Sequence, residues 1–137
     1  MATVWGISYP YYESIFSIYN ITRDSILTDQ PLSILSDAAA EAHVRIQADF
    51  EDINPVVSVS QKMRSYGIPA DTMTIDCLKS GKRIILILHD ELPDIIRYQF
   101  SFKDKDPEDE FESIQLDKLT TQTLYEWIKS YFSSATN

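Results

Sequence analysis

The stretch TMTIDCLKSGKRIILILHDELPDIIRYQFSF, residues 72–102, decides the fold. Met73, Ile75 and Cys77 alternate with Thr72, Thr74 and Asp76, the two-residue period of a strand with one buried face. Ser80-Gly81 is a hairpin turn signal. Ile84 to Leu88 is an unbroken apolar run and predicts a strand covered on both faces. Leu92-Pro93-Asp94 turns the chain again. Ile96, Tyr98, Phe100 and Phe102 then alternate with Arg97, Gln99 and Ser101, the clearest strand pattern in the protein. A fourth strand is predicted near 111–116. Phe111 is out of phase with Ile114 and Leu116, as at a bulge or a late start.

Outward from this meander the period becomes helical. On the C-terminal side, Leu124, Trp127, Ile128, Tyr131 and Phe132 give the segment 119–132 a wide apolar face, and Thr120 or Thr121 can cap it. On the N-terminal side, Leu35, Ala39, Ala42, Ile46, Phe50 and Ile53 form one stripe over 33–53, with Ser33 or Ser36 as the cap. A second helix is predicted over 55–66, with Pro55 at its first position and Val56, Val59, Ser60 and Met63 on one face. Further back, Trp5, Ile7 and Tyr9 alternate, and Tyr12, Ile15, Phe16 and Tyr19 suggest a short helix near 11–20.

Helices followed by strands and a last helix read as α+β. The expected architecture is N-terminal helices, a three- to four-stranded antiparallel meander, and a C-terminal amphipathic helix packed on the sheet. One domain over residues 1–132 and a flexible tail over 133–137 account for the chain. Leu86, Ile87, Tyr98, Phe100, Trp127 and Ile128 are the expected core.

Bulk properties narrow the function classes. A chain of 137 residues with 44% hydrophobic content can bury a real core, and is short for two domains. The single cysteine, Cys77, permits no internal disulfide. It sits on the apolar side of its strand, where a cysteine acts as a small hydrophobe. The N-terminus does not read as a signal peptide, and no run of about 18 apolar residues marks a membrane span. A soluble, cytoplasmic protein is expected.

The net charge is −9. Residues 1–61 carry eight acids and two bases, residues 62–83 two acids and five bases, and residues 84–118 ten acids and four bases. Two acidic regions around one basic stretch argue against direct binding to nucleic acid or an anionic membrane. An acidic total also promotes solubility, with no partner needed.

Several clusters invite a chemical reading. His89-Asp90-Glu91, with Asp94 close by, could do acid–base work or hold a metal. Metal sites need about three protein ligands, and the other histidine, His43, lies on a helix at a surface or boundary position. No metal and no cofactor is expected. Lys79-Ser80-Gly81-Lys82-Arg83 lacks the spaced glycines of a phosphate loop and reads as a hairpin tip, or as a patch for an acidic partner. The run from Asp104 to Glu110 alternates acids but has Pro107 and no central glycine, so it is no calcium loop. Trp5, Tyr9, Tyr11 and Tyr12 are either core or a binding surface.

No serine-triad, zinc-protease, kinase or dinucleotide motif is present. The favoured expectation is a non-enzymatic acidic module that docks a basic protein partner. An inhibitor or immunity-type protein is one form of this. The expected surface is Asp104, Asp106, Glu108, Asp109, Glu110 and Glu112, with Asp90, Glu91 and Asp94 on another loop. The rivals are a structural subunit of a homo- or hetero-oligomer, and a small enzyme using His89, Asp90 and Glu91. An exposed apolar patch, on Tyr11–Ile21 or the last helix, would favour the subunit.

Overall fold

The computed structural model describes residues 30–133. The expectations for Trp5–Tyr19 and for most of the tail lie outside the described residues. A helix, α1 (Gln30–Asp49), is followed by five strands: β1 (Pro55–Ser60), β2 (Ala70–Cys77), β3 (Lys82–His89), β4 (Ile95–Phe102) and β5 (Glu112–Gln115). A one-turn helix, α2 (Lys62–Ser65), joins β1 to β2. A 3₁₀ turn, Leu116–Lys118, leads into the last helix, α3 (Thr121–Ser133). Among the described residues no helix is long and apolar enough to cross a membrane.

The strands pair in sequence order, each antiparallel to the next, in one five-stranded sheet. Met73 faces Leu86, Leu86 faces Tyr98, and Tyr98 faces Glu112 across successive ladders. One face of this sheet carries Val57, Val59, Met73, Ile75, Ile84, Leu86, Leu88 and Ile96, all buried. Helices α1 and α3 pack against each other and share that core. They contribute Leu32, Leu35, Ala39, Ala42 and Ile46 from α1, and Leu124, Tyr125, Ile128 and Phe132 from α3. Most of the α3 face offered as a possible subunit contact is thus used within the chain, while Trp127 and Tyr131 stay half-buried.

The α+β class, the antiparallel meander and the C-terminal helix on the sheet are all present, with five strands instead of three or four. The extra strand is β1, where a second helix was expected. Its segment is PVVSVS. β-branched side chains lose rotamer freedom in a helix and fit a pleated surface. Val57 and Val59 enter the core at the two-residue period, opposite Ile75 and Met73. Pro55 opens an edge strand, a position that tolerates a missing N–H. Only Lys62–Ser65 of the expected helix is helical.

The main helix is also displaced. It is already helical at Gln30, so Ser33 and Ser36 lie inside it, buried, and neither caps it. It stops at Asp49, short of Ile53, which packs into the core from the following loop. Thr120 does cap α3, where its Oγ1 accepts the amide of Thr123 at 3.2 Å. Of the six expected core residues, Leu86 and Ile128 are fully buried. Ile87, Tyr98 and Trp127 are half-buried, and Phe100 is 40% exposed. Two causes are geometric: Ile87 points to the sheet face opposite the helices, out of phase with Leu86 and Leu88, and β5 ends its pairing at Tyr98–Glu112, so the second half of β4 has no strand beside it on that edge.

Candidate docking surface

The loop from Lys103 to Phe111 joins β4 to β5. Asp104, Asp106, Glu108, Asp109, Glu110 and Glu112 are all exposed. Like charges this close repel, so a free loop would splay into solvent. Gln99 prevents that. Its side-chain amide donates to the carbonyls of Glu108 (3.1 Å) and Glu110 (2.8 Å), and its oxygen accepts the Glu108 amide (2.9 Å). One carboxamide thus supplies both donor and acceptor to the loop backbone, as a neighbouring strand would. At its start the loop is tied to the β2–β3 turn, where the Lys103 amide donates to the Gly81 carbonyl at 2.7 Å. Gly81 holds φ +78, a conformation open to glycine without strain.

This end of the sheet is mixed in charge. Arg83 is bound through Nε and Nη2 to Asp76, at 2.6 and 2.9 Å. The Lys82 ammonium donates to the Tyr131 carbonyl at 3.2 Å, near the C-terminal end of α3, where a cation is favoured. The tip Lys79–Arg83 is therefore a hairpin whose Lys82 and Arg83 are engaged within the fold.

Asp90, Glu91 and Asp94 lie at the other end of β4, about 25 Å away along an eight-residue strand. Asp90 accepts two hydrogen bonds from Arg64, at 2.9 and 2.7 Å, and these hold its carboxyl below the ordinary aspartate range. Glu91 and Asp94 are exposed. The structure does not bring the two acidic groups together.

His89 is half-buried, and its Nδ1 accepts the Glu91 amide at 3.2 Å. Among the described residues no group of three histidine, cysteine, aspartate or glutamate side chains is placed to hold a metal. Cys77 is buried in the core. His43 corrects its surface expectation. It is fully buried, with Nε2 donating to the Pro55 carbonyl at 3.0 Å and Nδ1 unpartnered among the described residues. Burial lowers its pKa, and the bond to Pro55 opposes that.

Of the residues expected in the core, Tyr98 and Trp127 pack against it only in part and Phe100 is exposed, and the three line an open groove with Gln99, Glu110 and Glu112. Their rings form a connected array: Tyr98–Trp127 centroids lie 4.5 Å apart, Phe100–Trp127 5.4 Å and Phe100–Tyr131 4.9 Å. The usable signal was the mismatch between a long aromatic strand and a short following one.

Set against protein-family models, curated proteins and solved structures, the chain matches none of them.

Proposed function

We propose that this protein is a non-enzymatic protein-binding module that docks a basic protein partner through the loop Asp104–Glu112. The observation that carries this reading is the three-bond tether from Gln99. A loop kept only for solubility gains nothing from a fixed backbone. A docking loop does, because preorganisation lowers the entropy lost on association. The exposed carboxylates raise the encounter rate with a cationic surface and disfavour acidic competitors. Glu91 and Asp94 extend the negative field at the far end of β4, while Asp90 is compensated by Arg64.

The test uses a partner isolated independently of the loop. Asp106→Asn, Glu108→Gln and Asp109→Asn together should slow association, and the wild-type rate should fall with added salt. An unchanged rate with unchanged salt dependence rejects the loop as the docking surface.

A further inference from the structure

The second half of β4 has no strand beside it after the Tyr98–Glu112 pair. In that gap lies a groove of about 380 Å³, walled by Tyr98, Phe100 and Trp127 and bordered by Glu110 and Glu112. Phe100 is 40% exposed although it sits between Trp127 and Tyr131. The Tyr98 hydroxyl donates to Glu112 Oε1 at 3.3 Å, which leaves the second oxygen of that carboxylate open. Among the described residues neither Glu110 nor Glu112 is ion-paired.

We propose that this groove receives an arginine side chain of the basic partner. The inference rests on the docking reading and adds the residue type that is recognised. Aromatic faces attract cations through the ring quadrupole. The protein already satisfies other rings in this way: Arg45 lies 4.2 Å over Tyr125, Lys82 4.8 Å over Tyr131 and Lys105 5.1 Å over Phe102. Among the described residues no cation lies over Phe100 or Trp127. A planar guanidinium can stack on these rings while its N–H fork meets the carboxylates at the border. An ammonium group can lie over a ring and donate to an oxygen, as Lys82 does at Tyr131, but it has no planar fork to match two carboxylates and is more strongly hydrated.

The probe is the peptide acetyl-Gly-Arg-Gly-Arg-Gly-amide, with its citrulline and lysine counterparts, added to the full chain and followed by proton–nitrogen NMR. The Trp127 indole N–H and the Phe100 amide should shift saturably with the arginine peptide and stay fixed with the neutral citrulline one. Phe100→Leu keeps the apolar bulk and removes the ring face, and Glu110→Gln removes a charge. Each should weaken the arginine peptide by about three- to fivefold. Equal affinity for the lysine peptide overturns the arginine assignment. Shifts confined to the amides of 104–109 overturn the groove and leave the docking loop standing. No saturable shift at millimolar peptide also overturns the groove, and the loop variant against an isolated partner then judges the docking reading separately.

Discussion

Arg64 grips Asp71 through two parallel hydrogen bonds, Nε to Oδ1 at 2.8 Å and Nη2 to Oδ2 at 3.1 Å. Asp71 is 1% exposed on β2, and Arg64 sits on the short helix before it. The same guanidinium also holds Asp90 beyond β3, so one side chain fastens α2 to two strand ends.

Removing that side chain strands a buried carboxylate. Arg64→Ala should cost about 1–3 kcal/mol, less than a fully buried pair because Arg64 is partly solvated. Asp90→Asn loses only the exposed arm and should cost under about 1 kcal/mol. Urea unfolding midpoints compare the two, and equal losses would show that Asp71 does not depend on Arg64.

The centre of the sheet sets a second expectation. Leu86 is fully buried between Met73 and Tyr98 in the ladders. Leu86→Ala should cost roughly 2–5 kcal/mol through lost transfer energy and a cavity. A loss below about 0.5 kcal/mol in chemical denaturation contradicts its central place.

His43 makes stability depend on pH. Burial holds its folded pKa below the ordinary histidine value of about 6.5. The unfolded chain therefore binds the proton at a higher pH than the folded one. The contribution is complete above about pH 6.5 and is lost as pH falls through that value toward the folded pKa. Thermal melts from pH 7.5 to 5 should show this slope. His43→Gln should flatten it while lowering stability throughout, and a slope unchanged in that variant assigns it to other groups. Asp90, with its depressed pKa, acts only at lower pH.

Gln99→Leu should free the acidic loop without unfolding the sheet. Solvent can replace the lost bonds, so the cost should stay near 1 kcal/mol. The readout is hydrogen exchange at the Glu108 amide, which should lose its protection. Retained protection would mean that the loop is held by other contacts.

The meander and the last helix were legible because their residues obey one period each: Met73–Cys77 and Ile96–Phe102 at two, Leu124–Phe132 at the helical spacing. β1 was not, because Val56, Val59, Ser60 and Met63 also fit a helical face. Tertiary pairing with β2 decided between the readings. The acidic loop could be found from composition alone. Its tether could not, since Gln99 reads as an ordinary polar residue on an alternating strand. His43 looked peripheral because it falls one position past Ala42, yet both are fully buried, so the buried arc of α1 is wider than the apolar stripe.

Because every strand pairs with its neighbour in sequence, the sheet can form by a series of short closures, each cheap in chain entropy. The helices are different. Tyr125 on α3 donates to Asp49 on α1 at 2.5 Å across 76 residues. That bond, the Thr121–Glu41 bond across 80 residues and the α1–α3 packing close a loop that contains the whole sheet. In a folding experiment the hairpins should gain protection first, and the helix pair should act as the late clasp that makes the domain cooperative.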